Sequence, residues 1–124
     1  MPPTYHILLA KDHTLSRLLM VRILVRVYPS SRITAVDNGQ KALDVFNRER
    51  VDLVVTNGRM QHMNGVDLII ALRARPSAVP ILLLSSDGTI LNAAKRAGAS
   101  AVLNKPFTLP VLRRTLTQLL PATM

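Results

Sequence analysis

VDLVVTNGRMQHMNG, residues 51–65, is an apolar run that closes on an asparagine and turns through Gly58 into a loop ending at Gly65. Val51 to Thr56 is short, rich in β-branched residues and apolar on both faces, which predicts a strand covered on each side rather than one half-open to water. Val66 to Ala74 then returns to helical spacing. The same alternation spreads in both directions. Upstream, Tyr5 to Ala10 reads as a strand and Thr14 to Tyr28 as a helix stopped by Pro29; Arg32 to Val36 is a β-branched strand, and Asn38 with Gly39 opens a helix containing Ala42, Leu43, Val45 and Phe46. Downstream, Pro80 to Ser85 is a strand and Gly88 to Ala97 a helix closed by Gly98. Ala101 to Leu103 is the last strand and Leu109 to Leu120 the last helix, with Pro110 tolerated in its first turn.

Five β/α alternations with strands apolar on both faces predict an α/β fold: a parallel five-stranded sheet between two layers of helices. Right-handed crossovers favour the flavodoxin-like (βα)5 three-layer sandwich with strand order 2-1-3-4-5, whose site lies at the carboxyl ends of the strands. The residues there are Lys11, Asp12 and His13; Asn57, Gly58 and Arg59; Ser85 and Ser86; and Asn104, Lys105 and Pro106. The expectation is a single domain over residues 1–124 with a core of about 5–120, a length sufficient for a hydrophobic core without disulfides.

Sixteen Lys and Arg against seven Asp and Glu leave a net charge of +9. That excess favours an acidic partner through long-range steering. Nucleic acid is disfavoured, because the basic residues are scattered, aromatics make up only 3% of the chain, and no nucleic-acid-binding motif is present. No cysteine, export signal or apolar run long enough to cross a bilayer is visible, so a cytoplasmic protein without membrane association is expected. His6, His13 and His62 lack metal-ligand spacing.

The segments ILLAKDHTLSR, AVDNGQKAL, VDLVVTNGRMQHMNG, PILLLSS and AGASAVLNKPF stand in an order and spacing that resemble the response regulator receiver domain family of two-component signalling, from about Tyr5 to Leu120. The resemblance implies a pocket in which an acidic pair after strand one and an aspartate after strand three hold Mg²⁺ while that aspartate accepts a phosphoryl group. Here the pair is Lys11 and Asp12, and the acceptor position is Asn57. Ser85 keeps the hydroxyl after strand four, Lys105 keeps the basic residue, and Lys105–Pro106 matches the family's cis peptide. Arg59 completes the pocket, and Gln61 departs from the family's proline in the loop flanked by Met60 and Met63.

The departures change the chemistry. Three carboxylates and one lysine would make the pocket formally −2, whereas Asp12, Lys11 and Lys105 make it +1. Mg²⁺ seeks oxygen ligands and gives up water reluctantly, and unit charges about 4 Å apart interact by roughly 4 kcal/mol near a protein surface, so Mg²⁺ binding is expected to be lost. A carboxamide also lacks the nucleophilic oxygen that phosphoryl transfer needs. Lys11 is expected to fill the ion's place by pairing with Asp12, with Asn57 keeping the acceptor's shape; a drifted relic is the alternative. The reading is a degenerate pseudo-receiver in a phosphorelay, acting by phosphorylation-independent binding of a histidine kinase, phosphotransfer protein or other regulator that is acidic at the contact. Two alternatives are a regulator still phosphorylated by an unconventional route, through Asp12, Ser85 or Ser86, and a basic nucleic-acid-associated adaptor. No enzyme is expected, since a nucleophile–base arrangement and a glycine-rich phosphate loop are missing.

In the family a hydroxyl after strand four and an aromatic on strand five move together. Here the pair is Ser85 and Val102, and a β-branched valine has little rotameric range for such a relay. In the first helix Leu19, Ile23 and Val27 form one apolar line and Leu18, Val21 and Val25 a second, bordered by Arg22 and Arg26. The second line is either a contact surface or packing against the last helix. Lys95, Arg96, Arg113 and Arg114 are expected on the family's output face, where they would repel a symmetric copy.

Overall fold

In the first strand, β1 (His6–Ala10), Ile7 and Leu9 pack into one hydrophobic cluster while Leu8 and Ala10 pack into another, because successive side chains leave a strand on opposite faces. That strand therefore lies inside the sheet with helices on both sides. The computed structural model describes residues 4–122. The chain continues through α1 (Thr14–Val27), β2 (Arg32–Val36), α2 (Gly39–Arg48), β3 (Leu53–Asn57), α3 (Gly65–Arg73), β4 (Ile81–Ser85), α4 (Gly88–Ala97), β5 (Ala101–Asn104) and α5 (Leu109–Leu119). All four strand pairings are parallel, in the order β2-β1-β3-β4-β5 expected from the alternation.

The sheet divides the core into two halves. Leu8, Val54, Ile81 and Leu83 meet Ala42 and Val45 of α2, Leu68, Ile69 and Leu72 of α3, and Leu91 and Ala94 of α4. Ile7, Leu9, Leu53, Val55, Leu82 and Leu84 meet Met20, Leu24 and Val27 of α1 and Leu112 and Leu116 of α5. The Tyr28 hydroxyl, just past α1, donates to the carbonyl oxygens of Leu116 (3.0 Å) and Leu120 (2.9 Å) and ties the two helices of this layer together. Side-chain caps set several helix starts: Asn38, Asn64, Asp87 and Thr108 each accept a backbone N–H from the first turn they precede.

Two expectations need correction. β3 starts at Leu53 rather than Val51 and runs through Asn57, because the Asp52 amide donates to His6 O while its carboxylate accepts the His6 amide, so the ladder with β1 begins one residue later. In α1 the buried line is Met20, Leu24 and Val27; Leu19 points outward with Leu15 and Leu18. The histidines are structural in two cases. Buried His6 sits between Arg50 O (2.8 Å) and Thr34 Oγ1 (2.7 Å), and His13 caps α1 by accepting the Ser16 amide.

Candidate functional site

The register of the sheet brings the strand ends level. Ala10 pairs with Thr56, Asn57 with Leu84, and Ser85 with Asn104. The ladder extends one bond beyond the strands: the Lys11 amide donates to Val36 O, the Gly58 amide to Leu84 O and the Lys105 amide to Ser85 O. Lys11, Asn57, Ser85 and Lys105 are thus fixed by backbone along one edge. Gly65 closes the floor, because its amide donates to Gly58 O and a Cβ there would collide with the Asn57 carbonyl oxygen.

Lys11 is 4% exposed and Asn57 8%. The Lys11 ammonium donates to Asn57 Oδ1 at 2.8 Å, and the Lys105 ammonium donates to the same oxygen at 3.1 Å. The expected pairing of Lys11 with Asp12 is therefore not found. Continuing the alternation of Ile7 and Leu9 sends Lys11 to the face that Asn57 shares with Leu53 and Val55, whereas Asp12 falls on an exposed turn. Asn57 acts as a double acceptor rather than as a donor. Burial and the neighbouring Lys105 pull the Lys11 pKa down to about 8, against a smaller upward pull from Asp12.

Ser85 is buried, and its hydroxyl oxygen accepts the Asp87 amide at 3.1 Å. Asp87 escaped the reading of the sequence, although an aspartate directly before a helix-opening Gly88 is an N-cap signal. Its carboxylate accepts the Thr89 and Ile90 amides and pairs with Arg59 at 2.6 Å, so Arg59, which lines the cavity beside Asn57 and Lys105, also ties that rim to the start of α4. The Lys105–Pro106 peptide is cis. Val102 is half-buried against the α2–α4 half of the core, as are Met60 and Met63, while Gln61 is exposed.

One carboxylate beside two ammonium groups does not match the oxygen shell that Mg²⁺ requires. Among the described residues no group of three or more His, Cys, Asp or Glu could hold a metal ion.

Away from the cleft, Leu15, Leu18, Leu19 and Val25 of α1 are all exposed, as are Arg22 and Arg26, whereas Val21 is half-buried against the core. Arg113 leaves the expected grouping with Lys95 and Arg96: it lines a groove with Ile23, Arg26 and Val27 of α1 and with Leu109 and Pro110. Lys95, Arg96 and Arg114 are exposed. No described helix is long and apolar enough to cross a membrane.

The response regulator receiver domain family matches the chain over residues 7–117. Among curated proteins the chain is 31% identical over 122 residues to the sensory/regulatory protein RpfC of Xanthomonas campestris pv. campestris, covering 94% of this chain and 16% of RpfC. It is 34% identical over 106 residues to the transcriptional regulatory protein GlrR of Escherichia coli, covering 84% of this chain and 23% of GlrR. The chain thus spans under a quarter of the length of these relatives. It is also 28% identical over 111 residues to a probable chemotaxis protein CheY of Rhizobium etli, covering 86% and 85% of the two chains. Among solved structures, the chemotaxis response regulator CheY4 of Vibrio cholerae superposes with a TM-score of 0.84 at 24% identity, over 95% of this chain and all of that one. The receiver domain of the sensor histidine kinase PA1611 of Pseudomonas aeruginosa, solved with a magnesium ion coordinated in its active-site cleft, also gives 0.84, at 25% identity, over 94% and 98%.

Proposed function

Because the chain belongs to the response regulator receiver domain family, we propose that it serves two-component signalling as a pseudo-receiver, docking on protein partners without being phosphorylated. The observation that carries this reading is the position of Asn57 between two ammonium groups. A phosphoryl acceptor must present an anionic oxygen to the incoming phosphorus, and the carboxamide here presents a neutral oxygen already shared by Lys11 and Lys105. The Lys11 ammonium also adds a positive charge where the family holds Mg²⁺, so the cation that would neutralise a transferring phosphoryl group is repelled.

The docking surface is the layer formed by α1 and α5. Its helices carry Arg17, Arg22, Arg26, Arg113 and Arg114 and no carboxylate. Leu15, Leu18, Leu19 and Val25 share the outward face of α1 with Arg22 and Arg26, and exposed leucines clustered on one helix face mark a contact surface rather than a solvated one. A face of exposed leucines interspersed with arginines fits an amphipathic helix that carries Asp and Glu among its apolar residues, such as one presented by a histidine kinase or phosphotransfer protein. Lys95 and Arg96 on α4 extend the positive field.

The test has two arms. Intact-mass spectrometry after incubation with a small phosphodonor and Mg²⁺ is expected to show no phosphate adduct on the wild type. Partner capture is expected to return the same protein with wild type and with Lys11→Asp plus Asn57→Asp, and to lose it with Leu18→Asp plus Val25→Asp. A phosphate adduct on the wild type, or capture indifferent to the α1 substitutions, overturns the proposal.

A further inference from the structure

Ile23, Arg26 and Val27 share one flank of α1, and on α5 Arg113 stands three and four residues after Pro110 and Leu109, so these three also share a flank. The six residues line a groove of about 440 Å³ between the two helices. It opens beside the first turn of α5, whereas the Tyr28 hydroxyl ties the helices together further along, at Leu116 and Leu120. None of its lining residues belongs to the cleft at the strand ends.

The charge of this groove is unanswered among the described residues. Arg32, Arg50 and Arg59 each pair with a carboxylate, and Arg73 and Arg75 donate to oxygens of neighbouring segments. Arg26 and Arg113 belong to none of the ion pairs found there, and neither α1 nor α5 carries an Asp or Glu that could reach them. The rest of the wall is apolar: Val27 is buried, Ile23 half-buried, and Leu109 leaves 62% of its surface to solvent.

These two properties select one kind of occupant. An inorganic anion would answer the arginines and leave Ile23 and Leu109 wet. A neutral apolar molecule would cover them and strip water from two guanidinium groups without giving them a partner. A molecule with both an apolar body and an anionic end satisfies the whole wall, and the volume falls within the roughly 300–1,000 Å³ of small-molecule sites. The planar fork of a guanidinium matches a carboxylate through two parallel N–H···O bonds.

We propose that the groove between α1 and α5 binds a small amphipathic carboxylate, its apolar body against Ile23, Val27, Leu109 and Pro110 and its anionic end between Arg26 and Arg113. The site goes beyond the pseudo-receiver reading. It does not depend on whether Asn57 takes a phosphoryl group, and it uses the flank of α1 turned toward α5, beside the outward leucines rather than among them.

The experiment titrates octanoate, below its micelle concentration, into the wild-type protein at constant ionic strength with chloride as the balancing ion, and follows methyl shifts by NMR alongside the melting temperature. Saturable shifts at Ile23, Val27 and Leu109 are expected, with a rising melting temperature. Acetate and octanol each carry half of the recognised chemistry and should bind at least about tenfold more weakly. Arg26→Gln plus Arg113→Gln, at two exposed side chains, should lose a similar factor, whereas Arg22→Gln, which removes a charge of α1 outside the groove, should bind octanoate as the wild type does. Leu109→Asn is a second variant that changes the apolar wall and keeps the charge; it should weaken octanoate and leave acetate unchanged. Shifts that do not saturate, octanoate no tighter than acetate or octanol, unchanged affinity in the double arginine variant, or an equal loss in Arg22→Gln would overturn the proposal. The two readings fail separately: absent octanoate binding removes only the groove, whereas a covalent phosphate adduct removes the pseudo-receiver and leaves the groove standing.

Discussion

Lys11 Nζ lies 2.8 Å from Asn57 Oδ1, joining the end of β1 to the end of β3 by a buried bond between a cation and an amide. A lysine and a carboxylate in this arrangement would form an ion pair; a lysine and an amide leave the charge only partly answered, and Lys105 on the same oxygen adds to the deficit. The centre of the cleft is thus held by hydrogen bonds but electrostatically strained, and that combination makes its behaviour with pH readable.

Stability should rise as the solution is made alkaline. Lys11 titrates at about 8 in the folded protein against an ordinary 10.5, so above pH 8 the unfolded chain binds more protons than the folded one and unfolding becomes less favourable. The gain runs from about pH 8 upward, and by pH 10 amounts to on the order of 2 kcal/mol at one pKa unit per 1.36 kcal/mol. Beyond that the raised pKa of buried Tyr28 opposes it, because the unfolded tyrosine ionises first. Urea unfolding of wild type and Lys11→Met at pH 7, 8, 9 and 10 checks this: the wild type gains over that range, and Lys11→Met is more stable at pH 7 and nearly flat.

Asn57→Asp should stabilise the protein without making it a phosphoacceptor. A carboxylate between two ammonium groups has its pKa lowered, so the stability it adds is present above the ordinary carboxyl range and lost as the pH falls through the folded value. The expected gain at pH 7 is on the order of 2 kcal/mol, accompanied by loss of the alkaline rise, since Lys11 now has an anion to hold its proton. Thermal melts report the gain. Intact-mass labelling with a phosphodonor and Mg²⁺ should remain negative until Lys11→Asp is added.

The order of elements and the strand topology were legible because both rest on period: apolar runs too short for helices, alternating with helical spacing, leave a parallel sheet as the means of covering every face. The identities at the strand ends were legible for the same reason, since Ala10, Asn57, Ser85 and Asn104 follow directly from where the runs stop. Partner choice within the cleft was harder to read. Lys11 and Asp12 are neighbours in sequence, and only the parity of β1 against β3 sends Lys11 to Asn57 and Asp12 outward. The signal was available, for Lys11 continues Ile7 and Leu9 as Asn57 continues Leu53 and Val55. The Arg59–Asp87 bridge was less accessible, because it spans two loops whose approach depends on how α3 and α4 pack.

That bridge yields an asymmetric prediction. Asp87 both caps α4 and holds Arg59, while Arg59 contributes only the exposed half of an ion pair. Losing a cap costs more than losing a surface pair. Asp87→Ala should lower the melting temperature by several degrees and speed hydrogen exchange in the first turn of α4, whereas Arg59→Ala should leave both near the wild-type values. Equal effects would mean that the bridge, and not the cap, secures the helix start.

In α1 two leucines of the same helix should behave in opposite ways. Leu24 is fully buried between the sheet and α5, and Leu24→Ala should cost about 2–5 kcal/mol, the transfer term plus the cavity it leaves. Leu18 is more than half exposed, so Leu18→Asp removes little buried surface and gains an i,i+4 neighbour in Arg22; stability should stay within about 0.5 kcal/mol of wild type. Urea midpoints measure both. The contrast tests the proposed docking face, because a leucine that can be replaced by a charge without cost to the fold is not there for the fold. If Leu18→Asp were as damaging as Leu24→Ala, the outward stripe would belong to the core, and the α1 surface would no longer be free for a partner.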